Sequence, residues 1–591
     1  MSRPALTSTP AIPHVSRAMK ALERWASEYP GGIGSIGIDD GELTWGEIAT
    51  STRTLAGRLE RAGVEAGDRV AVMAGRSRYA LSSLLAIWAN GSSAVLLDER
   101  HPVERLRWTT QDAGCSALVS SEPNAADLGL MVIETSHSET QSTGPTLAEL
   151  GYGDATGRER GAEAYVVYTS GTTGRPKGVR VGCAALENLL DNAESLGYRP
   201  GSRAVSVVSP GFDGWLWSIL TPFVNGVTCV AIDPTLGNVA QALAARQIDN
   251  LCMTPSLYAA IEKLPPVEVA VVAGEHCPDS LVVRLQEIAD RVINVYGPTE
   301  TTIAATMADT ARGDDPRSTG RPLSGYTVTV VDAHLNEVPA GVTGEILIGG
   351  TGVALGYVST SAAGADRFID WNGARYFRTG DLGVLRADGQ LNCLGRIDDQ
   401  VKVGGFRIEL EEIESIACEI PDIARAVAYL RGDPHTLAIG LQTVSGAPLD
   451  HGLREQLTSR FAARLPRQLC PTFLHGIVDV PLEPTGKVSR REVAALGDAE
   501  RSRQDDGGAD DAQPVHDGHV LDSVLSAWSG VFGHSVSADS DFFAVGGHSL
   551  LAAQLASRIE AELEVTVSIT DVLTARTPRA LATLIDETRP A

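Results

Sequence analysis

Residues 168–178 read Tyr168-Thr-Ser-Gly-Thr-Thr-Gly-Arg-Pro-Lys-Gly178, directly behind the apolar run from Ala164 to Val167. The apolar run reads as a strand. The stretch after it holds three glycines, four Ser/Thr hydroxyls and two cations. Glycines let backbone N–H groups approach a phosphate closely, the hydroxyls add donors, and Arg175 and Lys177 add positive charge. This is a loop built to hold an anion. It is not a Walker A loop: Gly-x4-Gly-Lys-Ser/Thr cannot be laid over it, and Pro176 stands directly before Lys177.

Outward from that loop, helical and strand-like runs alternate. The segments 16–29, 51–62, 79–88, 182–196 and 239–246 have helical spacing, while 69–74, 94–97, 117–120, 204–208, 228–232, 250–253, 267–272 and 291–295 read as strands. Strands alternating with helices imply parallel sheet covered on both faces, an α/β fold. From about residue 324 the texture changes to short strands with Gly-rich turns, as in 326–331, 344–348 and 390–394, which suggests a small barrel-like piece. Behind 395–398 a smaller α+β unit runs to about 497. Residues 498–517 are rich in Asp and Gly without apolar periodicity and read as a flexible, charged linker. Beyond it, helical runs at 520–532, 549–562 and 578–587 make a small all-α bundle. The expected boundaries are 1–397, 398–497, 498–517 and 518–591.

At 591 residues the chain exceeds a single core. With 43% hydrophobic and 21% charged residues the composition is that of a soluble globular protein. A net charge of −25 argues against binding a phosphate backbone, so nucleic acid is not an expected partner, although a local positive loop can still hold a nucleotide. The eight cysteines include no Cys-x-x-Cys pair and read as buried reduced thiols of a cytoplasmic protein. No apolar stretch approaches the length of a membrane helix, and the first 25 residues lack a signal-peptide core.

Further motifs follow in order. Tyr296-Gly-Pro-Thr-Glu-Thr-Thr302 ends a strand, where parallel sheets place ligands; a tyrosine ring can stack on a base there, and Glu300 offers a hard oxygen to Mg²⁺. Tyr376-Phe-Arg-Thr-Gly-Asp-Leu382 sets the carboxylate of Asp381 behind a tight glycine turn. Gly395-Arg396-Ile-Asp398 and Pro484-Thr-Gly-Lys487 lie in the smaller unit. Singly, each has a plain structural use: a turn, a helix cap, a solvated lysine.

In this order, over roughly 15–497, they resemble the adenylation domains of nonribosomal peptide synthetases, members of the ANL adenylate-forming superfamily. The tail adds Asp541-Phe-Phe-Ala-Val-Gly-Gly-His-Ser549-Leu-Leu, which looks like the attachment motif of a peptidyl carrier domain. A serine at the start of a helix suits a phosphodiester, although serine also caps helices. The resemblance implies a large adenylation core with a mobile C-terminal subdomain and a carrier. It implies ATP, Mg²⁺ and 4′-phosphopantetheine on Ser549. Thr169, Ser170, Gly171, Thr172, Thr173, Gly174 and Lys177 would hold the β- and γ-phosphates, and Glu300 the metal. Tyr296, Asp381 and Arg396 would hold the nucleoside. Lys487 would bridge the reacting oxygens, and Asp398 would be the hinge about which the smaller subdomain turns. The sequence departs from the family pattern at Thr485 and Ser489, where Asn and Asp are commoner beside Gly-Lys-Val; the lysine itself is kept.

Asp213, in Ser209-Pro-Gly-Phe-Asp-Gly-Trp-Leu-Trp217, matches the family's aspartate for the substrate α-ammonium. Motif positions extend the pocket to Gly214, Trp217, Cys252, Val271, Ala273, Val295, Ile303 and Ala304, with Lys487 beside the carboxylate. Apart from Asp213 and Lys487 this lining is uncharged, so a charged side chain would lie unpaired. The expected substrate is a large neutral, aromatic amino acid of the Phe, Tyr or Trp kind. With no room for further domains at either end, the chain resembles a stand-alone didomain of secondary metabolism such as antibiotic biosynthesis. It would serve a trans-acting tailoring or condensation enzyme after a phosphopantetheinyl transferase has primed it, and such domains often need an MbtH-like protein. The competing expectations are an acyl- or aryl-acid ligase of the same superfamily and an inactive carrier scaffold.

Overall fold

In a computed structural model of the protein, the described residues are 15–135, 163–171, 175–234, 239–261, 263–359, 364–397, 401–403, 406–431, 436–481, 488–507, 519–532, 536–540, 542, 549–563, 565, 567 and 569–588. The β-branched runs of the first half assemble into two large sheets. One has seven strands, in the order Gly356–Tyr357, Lys177–Gly182, Glu163–Thr169, Ser93–Leu96, Arg69–Met73, Ala117–Ser120 and Met131–Glu134. The other has nine, running from Arg321–Pro322 through Thr306–Asp309, Ala289–Tyr296, Val267–Ala273, Asn250–Met253, Arg203–Ser206, Thr228–Ala231 and Ile33–Ile36 to Glu42–Thr44. Their centres are parallel; both edges of the nine-stranded sheet and the Gly356–Tyr357 edge of the seven-stranded one are antiparallel, while the Met131–Glu134 edge is parallel.

Period-two alternation divides each strand between two cores. Along Arg69–Met73, Val70 and Val72 join the core between the sheets, while Ala71 and Met73 join an outer one with Leu106 and Leu118. Likewise Cys252, Val271 and Val295 face the shared core, and Leu251, Met253 and Val272 the outer face of the nine-stranded sheet. Helix Ala80–Ala89 lies within the shared core, with every residue from Ala80 to Trp88 buried. An apolar surface all round a helix requires such a position. The helix expected from residue 51 begins at Trp45, because Thr44 and Glu47 form a reciprocal cap: Thr44 N donates to Glu47 at 2.8 Å and Glu47 N to Thr44 Oγ1 at 3.3 Å.

After these sheets, Tyr326–Val331, Thr343–Gly350, Ala374–Leu385, Phe368–Trp371 and Leu391–Arg396 form a five-stranded antiparallel sheet, the barrel-like piece. The smaller unit packs helices Leu410–Cys418 and His451–Arg464 around strands Ile423–Arg431, Thr436–Thr443 and Phe473–Gly476. Helices His519–Phe532, Ser549–Leu563, Ile569–Ala575 and Pro578–Thr588 enclose the last core, with Trp528 and Phe542 edge to face at 5.5 Å.

Three expectations are corrected. The stretch read as linker from 498 begins inside helix Arg490–Gly507, which is tied back to the smaller unit by Arg431 Nε to Asp498 Oδ1 at 2.7 Å and by buried Val493. Asp381 follows no turn between strands; it lies within strand Ala374–Leu385, directly behind a bulge at Gly380, whose φ is 70°. Only half of the cysteines are buried: Cys418 is exposed, and Cys115, Cys393 and Cys470 are half-buried. No helix among the described residues is long and apolar enough to cross a membrane.

Candidate active site

The anion loop connects two antiparallel strands, Glu163–Thr169 and Lys177–Gly182, with Thr169 opposite Lys177 and Tyr168 opposite Gly178. Its base is fixed by charge. Buried Glu163 accepts from Arg69 at 2.7 and 3.0 Å, from Arg180 Nε at 2.7 Å and from Ser93 Oγ at 2.9 Å. Burial alone would raise its pKa, but the two guanidiniums outweigh that and lower it. Within the loop, a Cβ on Gly171 would stand 2.2 Å from the Arg175 carbonyl oxygen, so only glycine lets the chain close on itself there. The hydroxyl of Thr169 is buried and lacks a hydrogen-bond partner among the described residues. A cradle that a methyl group would fill, with an orphan hydroxyl beside it, fits a phosphate. Thr172, Thr173 and Gly174 lie outside the described residues, as do Lys487 and Asp398.

Lys177 Nζ stands 3.4 Å from Glu300 Oε1, and Tyr357 Oη donates to the same carboxylate oxygen at 2.8 Å. Glu300 is fully buried in a short 3-10 turn, Thr299–Thr301. The described residues contain no group of three or more His, Cys, Asp or Glu side chains arranged to hold a metal. Glu300 therefore offers one carboxylate, a set suited to Mg²⁺ when phosphate oxygens complete the shell.

Tyr296, at the end of strand Ala289–Tyr296, donates its hydroxyl to Asp381 Oδ2 at 2.5 Å. Arg396, directly across the sheet from Asp381, donates to Oδ1 at 2.8 Å and to the Thr379 carbonyl at 2.7 Å. Burial and the Asp381 charge raise the Tyr296 pKa well above its ordinary value, so its hydroxyl stays protonated. The three residues expected at a nucleoside thus meet. Each carboxylate oxygen keeps a second lone pair for a ribose hydroxyl.

Asp213 opens helix Asp213–Val224, and its Oδ2 is buried without a hydrogen-bond partner among the described residues. Burial pushes its pKa up to about 6, with the charge of Glu300 adding to the rise and a hydrogen bond from Thr299 opposing it. Trp217, one turn along, shares its helix face, and its indole N–H is likewise buried and unpartnered. In the same core as Trp217, the sheet register sets Cys252 against Val271 and Ala273 against Val295. Gly214 has room around it: an added Cβ would touch only Val208, at 3.6 Å. Burial pushes the Cys252 thiol up to about 12, so it is neutral. At the rim, Thr302 and Ile303 both take positive φ, 59° and 70°. Two β-branched residues in that region are strained, and strain of this kind gathers at ligand sites. Ala304 behind them is fully buried, and Gly297 permits the close pass, since its Cβ would lie 2.8 Å from Ala304 Cα.

A further cluster was not legible as part of the site. Asp98, past strand Ser93–Leu96, receives two bonds from Arg76 at 2.7 and 3.0 Å and one from Ser209, which leads into the Asp213 helix. Burial would raise the Asp98 pKa, but Arg76, His101 and Ser209 together hold it well below the usual carboxylate range. It pins the loop that delivers Asp213. Ser549 begins helix Ser549–Leu563, in the position expected for an attachment serine.

Comparison with known proteins agrees in kind. Residues 22–358 match the model of the AMP-binding enzymes and 522–585 that of the phosphopantetheine attachment site. Novobiocin biosynthesis protein H of Streptomyces niveus is 34% identical over 582 residues, 94% of either chain. Malpinin synthetase of Mortierella alpina is 32% identical over 586 residues, 93% of this chain, which spans only 7% of that much longer protein. Among solved structures, holo-PA1221, an NRPS protein containing adenylation and PCP domains, superposes with a TM-score of 0.78 over 98% of this chain and 97% of its own, at 23% identity. The likeness is one of fold.

Proposed function

Because the chain belongs to the AMP-binding enzymes and carries a phosphopantetheine attachment domain behind that unit, we propose that it activates a large neutral, aromatic amino acid with ATP and loads it onto its own carrier. The proposal rests most on one observation: Asp213 Oδ2 is buried without a hydrogen-bond partner among the described residues, and Gly214, Trp217, Cys252, Val271, Ala273, Val295, Ile303 and Ala304, read as the pocket lining, are all uncharged. A carboxylate so placed calls for a cation, which the α-ammonium supplies. The Trp217 N–H, buried without a hydrogen-bond partner among the described residues, can serve an acceptor on the side chain, so Tyr is as eligible as Phe or Trp.

In the first half-reaction an oxygen of the amino-acid carboxylate bonds to the α-phosphorus of ATP as the bond from that phosphorus to pyrophosphate breaks. The work of the chain is positioning and charge stabilisation. Thr169 to Gly174 and Lys177 would hold the β- and γ-phosphates. Tyr296, Asp381 and Arg396 would hold the nucleoside, and Lys487 would lie between the reacting oxygens. Glu300 would hold Mg²⁺, which when bound offsets phosphate charge. Phosphopantetheine on Ser549 would supply the thiol that takes the acyl group as AMP leaves. We assign the large unit to residues 1–397, the small unit from 398 with Asp398 as its hinge, and the carrier to 518–591. A phosphopantetheinyl transferase and a trans-acting tailoring or condensation enzyme are the partners this scheme calls for, with an MbtH-like protein as an optional third.

ATP–pyrophosphate exchange across the amino acids tests the substrate class. Strongest exchange with Phe, Tyr or Trp is expected, and strongest exchange with Asp, Lys or Gly would sink it. Mass spectrometry after priming and loading should show both additions on the wild-type chain and neither on Ser549→Ala. Release of a free CoA thioester would point to an acyl- or aryl-acid ligase instead.

A further inference from the structure

Helix Val103–Ala113 touches both the phosphate loop and the small unit. Arg105, Trp108 and Asp112 follow at i, i+3 and i+7 and so share one face. Two of them brace the loop: Asp112 Oδ2 accepts from Tyr168 Oη at 2.7 Å, and the Trp108 ring meets that of Tyr168 edge-on at 5.6 Å. Arg105 reaches the other way. Its Nη1 donates to Glu412 Oε1 at 3.0 Å, across 307 residues of sequence, with side chains only 8% and 3% exposed. Glu412 belongs to helix Leu410–Cys418 of the small unit. Three residues before it, the Glu409 N–H donates to Ser170 Oγ of the phosphate loop at 3.0 Å, also buried. A cavity of about 220 Å³ lies at this seam, lined by Glu104, Arg105, Trp108, Arg175, Pro176 and Glu412 among others.

A buried ion pair gains little net stability, because desolvation consumes the attraction, but removing one partner strands a charge. Such a pair acts by selecting one arrangement over others. Arg105 and Glu412 can hydrate fully whenever the two units part, so their burial marks this seating alone. The other contacts of this helix bear on which step the seating serves. Arg490, three residues past Lys487, is bound by Glu411 Oε1 at 3.1 Å, by Glu414 and by the Ala428 carbonyl at 2.8 Å. Glu411 and Glu414 lie about 100° and about 160° around the helix from Glu412. With Glu412 turned to the loop, Arg490 is fastened to a different side of the same helix.

We propose that Arg105 and Glu412 form a docking clamp, a pair of positioning residues that seats the small unit on the phosphate loop for acyl transfer and is dispensable for adenylate formation. The proposal rests on reading residues 168–178 as the triphosphate site. The test uses the full chain. In Arg105→Ala and Glu412→Ala, hydrogen exchange of helices Val103–Ala113 and Leu410–Cys418 should rise in the unprimed, nucleotide-free protein. Pyrophosphate exchange should stay within about twofold of wild type while single-turnover loading of the primed carrier slows about tenfold, a coupling of ordinary size between two sites. The exchanged pair Arg105→Glu with Glu412→Arg should restore protection and loading together, which also excludes simple misfolding. Unchanged protection and loading in the single variants would overturn the clamp, as would parallel loss of both half-reactions. Absence of pyrophosphate exchange in the wild type would instead overturn the reading of the site, since protection reports on the clamp without catalysis.

Discussion

Asp213 has the charge state of its pocket built into it. With its pKa at about 6, the carboxylate is ionised at neutral pH and would be lost as the proposed partner of the ammonium below that value. The kcat/KM for the amino acid in pyrophosphate exchange is expected to fall by about tenfold per unit below about pH 6, as a single essential ionisation requires. Asp213→Asn should lower it by roughly 30-fold or more at neutral pH and flatten the profile, since truncating one member of a buried charge pair costs about 2 kcal/mol or more. A pH profile that keeps its shape in the variant would assign the ionisation elsewhere. Tyr296→Phe removes the hydroxyl that Asp381 accepts; a loss of about 1.5 kcal/mol at a charged acceptor should appear as a roughly tenfold rise in KM for ATP. Asp213, Tyr296 and Asp381 were legible in the sequence because each sits in a contiguous motif. Arg76, Asp98 and Ser209 were not, because the three come from separate segments and only the fold brings the charge of one to the others.

The hairpin Glu163–Thr169 and Lys177–Gly182 shows what an element adds to its letters. Sequence revealed the first strand through its continuous apolar run. It did not reveal that the chain turns straight back, since Lys177 and Arg180 look like surface residues. Arg180 belongs in a strand only because Glu163 waits beside it. The turn also makes a sharp demand at Gly171. Gly171→Ala would force the loop open against the Arg175 carbonyl, so pyrophosphate exchange should drop by about a hundredfold, the effect of an ångström of misplacement. Because the strain is confined to the loop, the thermal midpoint should stay near that of wild type. A variant with normal exchange would show that the phosphates lie elsewhere. Helix Val103–Ala113 was invisible as a functional element for a related reason: its partner Glu412 lies 307 residues away, and no local pattern encodes such a meeting.

For the molecule as a whole, the two parallel-centred sheets were foreseeable because strands buried on both faces need continuous apolar runs. The end of the small unit was not, since helix Arg490–Gly507 is polar and is held by ion pairs to other segments instead of by a stripe of its own. Within that unit, His475 is completely buried and burial pushes its pKa down to about 4. Below about 6.5 the unfolded chain takes up a proton that folded His475 refuses, so its contribution is complete above that value and is lost as pH falls towards 4. His475→Leu should therefore lose less of its thermal midpoint than wild type between about pH 7.5 and about pH 5. A steeper loss in the variant would contradict the assignment. Helix Arg490–Gly507 has a mechanical consequence as well. Its 18 residues make a rod of about 27 Å, the last described element before the carrier helices. A rod so anchored is a lever: a modest turn of its base sweeps its far end through many ångströms. Re-seating the small unit would thus carry the far end of this helix through a larger arc than its base in the same stroke.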